Sequence, residues 1–216
     1  MPQPLYEQSR PRTFSEVVGQ DQAVRRIEVL RRRGLAGRAY WIAGQSGTGK
    51  TTLARLIAGE VADELNTEEW DAGRLSDKDI QEIERSLRCY RIGSKPGVAV
   101  IINEAHGLKS QVVRQLLVTL ERIPSHAVWV FTTTFKGQLS LFDKSDDSSP
   151  LLSRCVCLTL NASGLELSFA VRAREIAQRE GLDGRPIEDY IALAKACQCN
   201  LREMFCRIEA GEMMPS

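Results

Sequence analysis

Gly44-Gln45-Ser46-Gly47-Thr48-Gly49-Lys50-Thr51 fits the pattern G-x-x-x-x-G-K-[ST], and each position has a chemical reason. Glycines let the main chain approach an anion, and successive N–H groups and a helix N-terminus then face it. Lys50 can reach the β- and γ-phosphates of a nucleotide, and the Thr51 hydroxyl can ligate magnesium. The pattern carries that meaning only between a strand and a helix. The neighbours supply both: the apolar run Ala39-Tyr40-Trp41-Ile42-Ala43 precedes it, and Leu53, Leu56, Ile57 and Val61 follow at helical spacing from Lys50. ATP and Mg2+ are the expected ligands.

A second constellation lies about fifty residues on, where Val98-Ala99-Val100-Ile101-Ile102 ends in Asn103-Glu104-Ala105-His106. An uninterrupted apolar run is expected of a parallel strand covered on both faces, so it should lie centrally in a sheet. Phosphoryl chemistry asks for an acid near the metal and a group that positions the attacking water at such a strand end. Glu104 fits the second role. Asn103 stands where an Asp is usual: its amide oxygen can accept from a metal-bound water but carries no charge, so metal affinity and hydrolysis should be low. By that logic Asn103→Asp should tighten the metal site.

The elements that must position these groups alternate between helical and strand periods. A helix spans about 21–33 with Ala23, Val24, Ile27 and Leu30 on one side, ended by Gly34. Glu69-Trp70-Asp71 reads as a short strand, and Ser76 caps the helix that follows. The spacing predicts a helix over 110–120 and strands over 128–132 and 156–160, with the polar stretch 136–149 between these strands as the most mobile loop. After Asn161 the pattern is helical: 163–180 closed by Gly181, a second helix opened by Pro186, and a third capped by Asn200. This predicts an α/β fold with a parallel sheet sandwiched by helices over 1–161, and a three-helix C-terminal lid over 162–216.

Composition sets the limits. With 216 residues, 43% hydrophobic and 26% charged, the chain suits one ordinary domain with a small satellite, and neither disorder nor a fibrous repeat is indicated. No apolar run approaches the ~18 residues of a membrane span, and the start lacks a signal peptide's apolar stretch, so a soluble cytoplasmic protein is expected. Net charge is +1, yet residues 1–38 hold eight Arg against four acids, among them Arg25, Arg26, Arg31, Arg32 and Arg33. On spacing alone that cluster is a solvated helix face. The six cysteines include two Cys-x-Cys pairs, Cys155/Cys157 and Cys197/Cys199, which lack zinc-site spacing; buried free thiols are expected, and no zinc.

Taken in order, the motifs resemble an AAA+ ATPase of the clamp-loader group, akin to the motor subunits of bacterial DNA polymerase III. Residues 10–20, Arg-Pro-Arg-Thr-Phe-Ser-Glu-Val-Val-Gly-Gln, resemble the family's box around adenine, which implies contacts from Val17 and Val18. Glu69-Trp70-Asp71-Ala72 resembles its second strand, and 103–124 its Walker B strand end and following helix. Thr132-Thr133 fits sensor 1, Ser153-Arg154-Cys155 the motif that supplies an arginine finger, and Asn200-Leu201-Arg202-Glu203 the sensor 2 turn.

The resemblance implies that Lys50, Glu104, Thr133, Arg154 and Arg202 act on ATP, Arg154 in a neighbouring subunit's site, and that Thr51 and Asn103 face magnesium. It implies DNA contacts from Lys109 and Arg114, on the helix after the Walker B strand, and makes Arg25 and Arg32 further candidates. DNA, other AAA+ subunits and a sliding clamp are the partners it suggests. With the sequence ending at Ser216, no clamp-loader collar is expected, and only Cys89 lies where bacterial motor subunits carry a four-cysteine zinc module. Two other readings remain open: an ATP-binding scaffold that hydrolyses little, and a P-loop small-molecule kinase.

Overall fold

The computed structural model describes residues 3–88, 93–134 and 148–215. Cys89 and most of the expected mobile loop lie outside the described residues. The main chain gathers into two compact units: residues 25–44 with 50–159, and residues 1–24 with 45–49 and 160–216.

The first unit is a five-stranded parallel sheet. β1 (Arg38–Ala43), β2 (Thr67–Asp71), β3 (Val98–Asn103), β4 (Ala127–Thr133) and β5 (Cys155–Thr159) pair in the order β2-β3-β4-β1-β5. The middle place belongs to β4, all of whose residues are buried, while β3 sits between β2 and β4. Both strands read as continuous apolar runs because helices cover the two faces of a parallel sheet. Alternate residues Trp41, Trp129, Phe131, Val98, Val100 and Ile102 face α4 (Asp77–Ser86), α5 (Ser110–Leu120) and Leu151 of α6 (Ser148–Ser153). Trp41 and Trp129 stack on Phe131 at centroid distances of 5.6 and 6.3 Å. The helix that follows the glycine loop, α3 (Lys50–Val61), packs against β1, β3 and β4. Local chemistry sets several ends: Ser76 and Asp79 form a capping box at the start of α4.

The second unit holds α1 (Leu5–Gln8), α7 (Glu166–Arg179), α8 (Ile187–Ala196) and α9 (Leu201–Glu209), joined by a core that includes Phe169, Tyr190, Met204, Phe205 and Ile208. α7 begins at Glu166 rather than at 163 because Gly164 takes a φ of 71°, outside the helical region. Gly181, also at 71°, closes it as expected. The helix α2 (Asp21–Arg31) continues from this unit into the first.

The cysteines divide where burial was expected throughout. Cys197 and Cys199 are buried, whereas Cys157 lies exposed on the edge strand β5 and Cys206 on the outer side of α9. Burial pushes the Cys155 thiol up to about 12, so it stays protonated and unreactive. Among the described residues, no helix is long and apolar enough to cross a membrane.

Candidate nucleotide site

The glycine loop is built by conformations that other residues resist. Gly47 and Gly49 have φ of 75° and 99°, and the Thr48 hydroxyl donates to the Gln45 carbonyl at 2.8 Å, which tightens the turn. Within the same compact unit, the loop meets the start of α9. A Cβ on Gly47 would fall 1.9 Å from Asn200 Oδ1 and 2.9 Å from its Cα. That Oδ1 also caps α9 by accepting from the Glu203 N–H at 3.3 Å. Gln20, 1% exposed, donates to the carbonyls of Thr48 at 3.4 Å and Asn161 at 3.1 Å, and accepts from the Asn161 N–H at 2.8 Å. Val17 and Val18 are half-buried, Val18 against the helical core, and the Arg202 guanidinium lies 5.4 Å over the Tyr6 ring. Val17, Val18, Gly47, Gly49 and the turn 200–203 thus share one unit.

Gly47→Ala should therefore lose about 2 kcal/mol or more of stability, combining a left-handed side-chain penalty of about 1–2 kcal/mol with the loss of a helix cap worth about 1. Urea unfolding measures this. An unchanged midpoint and slope would mean that the loop and Asn200 do not meet.

In the sheet unit, the Gly44 N–H donates to the Thr133 carbonyl at 3.2 Å, carrying the β1–β4 pairing to the mouth of the loop. Lys50 is the buried first residue of α3, and Thr51 follows half-buried. At the end of β3 the Asn103 amide is engaged on both sides. Its Nδ2 donates to Glu69 Oε1 at 2.6 Å, and its Oδ1 accepts from the Thr132 hydroxyl at 2.9 Å. Glu69 Oε2 accepts from Arg55 Nε at 2.9 Å. Thr132 and Thr133 point to opposite faces of the sheet, so it is Thr132 that reaches Asn103. The fully buried Thr133 lies 3.3 Å from His106 Nδ1 instead.

Glu104 takes φ 52°, ψ 47°. Its carboxylate is 3.4 Å from His106 Nδ1, which connects the strand end of β3 with Thr133. Arg154 follows α6 immediately; its Nη1 donates to the Pro150 carbonyl at 2.9 Å and its Nη2 pairs with Glu121. The arginine holds the Glu121 carboxyl below its usual range, first through that hydrogen bond and then through its charge. Oxygen donors at Thr51, Asn103 and Glu104 suit a hard cation such as magnesium. No group of three or more His, Cys, Asp or Glu forms a metal cage among the described residues, and magnesium bound with a nucleotide requires only one or two side chains.

The basic candidates fall on two different faces. Arg25 and Arg32 are exposed on and just beyond α2, which neighbours α3 through the Arg31–Glu60 pair. Lys109 and Arg114 are exposed at the start of α5, on the opposite side of the sheet. One short DNA segment lying on a single face would meet one group only. Glu69, His106 and Glu121 fall within the segments quoted from the sequence, but no role for them was legible there.

A family model described as the ATPase family associated with various cellular activities (AAA) matches residues 40–155. The chain is 28% identical to the DNA polymerase III subunit gamma/tau of Mycoplasma pneumoniae over 92% of its length and 31% of that protein. It is 27% identical to the tau subunit of Escherichia coli over 93% of its length and 33% of that protein. It therefore spans about a third of the length of the curated relatives it matches. Among solved structures, the RuvB Holliday junction branch migration motor of Thermotoga maritima has the same fold, with a TM-score of 0.73 at 24% identity, over 93% of this chain and 64% of that one.

Proposed function

The chain belongs to the AAA family of ATPases, and from that premise we propose that it is a clamp-loader-like switch that binds and hydrolyses ATP and acts on DNA in replication or repair. The observation that carries this reading is the loop Gly44–Thr51 between β1 and α3, with its left-handed glycines and Lys50 opening the helix. Such a loop offers successive N–H donors and a helix N-terminus to a polyphosphate. Lys50 would contact the β- and γ-phosphates, Val17 and Val18 the adenine, and Arg202 a phosphate from the first turn of α9.

Glu104 would hold the attacking water. Thr51 and Asn103 would face magnesium, which when bound neutralises charge between the phosphate oxygens. The proposed division is a nucleotide-binding domain over 1–161 and a lid over 162–216, with Arg154 serving a neighbouring subunit. Lys109 and Arg114 are favoured for DNA because they open the helix that follows the strand end carrying Glu104. The same reading puts the protein in the cytoplasm, with DNA, other AAA subunits and a sliding clamp as partners. A second reading, a subunit that holds ATP and hydrolyses it little, draws on the uncharged Asn103.

The decisive measurement is calorimetry with ATP. Lys50→Ala should bind about 10- to 100-fold more weakly, the worth of a charged hydrogen bond of about 1.5–3 kcal/mol, with an unaltered unfolding transition. Undiminished affinity would remove the loop from the phosphate role.

A further inference from the structure

We propose that Glu69 supplies, from β2, the negative charge that the end of β3 lacks, and that Asn103 is the positioning residue that fixes it. The proposal rests on reading the glycine loop as a magnesium–ATP site.

The register places Asp71 opposite Asn103 and Glu69 opposite Ile101, so the side chains of Glu69 and Asn103 share one face of the sheet. α3 serves that face: its Arg55 binds Glu69 at 2.9 Å and lies four residues, one helical turn, beyond Thr51. Glu69 is thereby held from two directions, by Arg55 on one oxygen and by Asn103 Nδ2 on the other at 2.6 Å. Arg55 binds the other oxygen and offsets part of that charge, leaving Oε1 turned to the end of β3. A carboxylate one hydrogen bond from Asn103 lies well inside the screening length of about 8 Å at physiological salt. A cation drawn to the end of β3 would feel it.

The amide and the acid form a matched pair. Asn103 gives its only donor group to Glu69 and accepts from Thr132, which fixes the orientation of the amide. An aspartate at 103 has no proton to give, and two carboxylates at this distance would repel. The expectation that Asn103→Asp alone tightens the metal site therefore reverses. Exchanging the two chemistries, with the acid on β3 and the amide on β2, would keep one charge and one donor.

The test is calorimetry of a non-hydrolysable ATP analogue, with magnesium and with EDTA, on the full chain and three variants. The wild type should bind more tightly with magnesium. Glu69→Gln should lose that gain about 10- to 100-fold, as outer-shell ligands typically do, with its affinity in EDTA unchanged. Asn103→Asp should show a smaller magnesium gain than the wild type, and Asn103→Asp/Glu69→Gln should recover the wild-type gain. Recovery by the double variant is the outcome that a structural Arg55–Glu69 pair would not give. A full magnesium gain in Glu69→Gln, an equal loss with and without magnesium, or a double variant no better than either single one would each overturn the proposal. No binding of the analogue by the wild type in either condition would overturn the magnesium–ATP reading itself.

Discussion

Glu104→Gln is expected to hydrolyse ATP about 100- to 10,000-fold more slowly than the wild type while binding it equally well, the usual size of a lost proton-accepting group. Glutamine keeps the shape of the side chain and one acceptor oxygen but cannot take a proton from water. The backbone singles out this residue: Glu104 is one of the few non-glycine residues at positive φ, a conformation that costs about 1–2 kcal/mol for a side chain of this kind. Such a cost persists where the surrounding structure imposes it, and here the turn Ala105–Gly107 and His106 do so. The result is a carboxylate 49% exposed at the carboxyl edge of the sheet, steadied by His106 and reachable by water. Single-turnover hydrolysis with the enzyme saturated separates chemistry from binding. Equal rates in the two proteins would take Glu104 out of the reaction.

What the sequence made legible was whatever depends on residues near one another in the chain. The glycine loop, the apolar runs of β3 and β4 and the Ser76 and Asn200 caps each state their conformation locally, and the structure has them at or within a few residues of the expected bounds. The loss of charge at Asn103 was equally plain. Its consequence was not, because the register of β2 against β3 and the reach of Arg55 from α3 bring Glu69 to that amide across 34 residues of sequence. The assignment of Thr133 met the same limit. Strand alternation sends Thr132 to Asn103 and Thr133 to His106, and only the register of β4 against β3 fixes which hydroxyl goes where. Asn200 shows the point from the other side: its capping role was local and visible, but its closeness to Gly47 is a tertiary fact.

Arg154→Ala should lower turnover about 1,000-fold or more, the scale of a missing arginine finger, and leave the affinity of its own site for ATP unaltered. Within its own chain Arg154 is tied to Glu121 and the Pro150 carbonyl, with side-chain exposures of 30% and 56% for the ion pair. An ion pair open to water is worth at most about 1 kcal/mol, and Glu121 takes one nitrogen of the guanidinium where a phosphate can accept from two. A neighbour's γ-phosphate can thus draw Arg154 from Glu121 at small cost, and Glu121 keeps the arginine from wandering until then. Lys50→Ala, by contrast, loses its own site but retains the finger. Mixed in equal amounts, the two inactive proteins should regain about one quarter of wild-type turnover, since head-to-tail contacts pair an intact site with an intact finger in about that fraction of interfaces. Activity of the wild type should also rise more than linearly with protein concentration. A mixture as inactive as its components, at concentrations where the wild type turns over, would show that Arg154 does not act across subunits and that its pairing with Glu121 serves the fold alone.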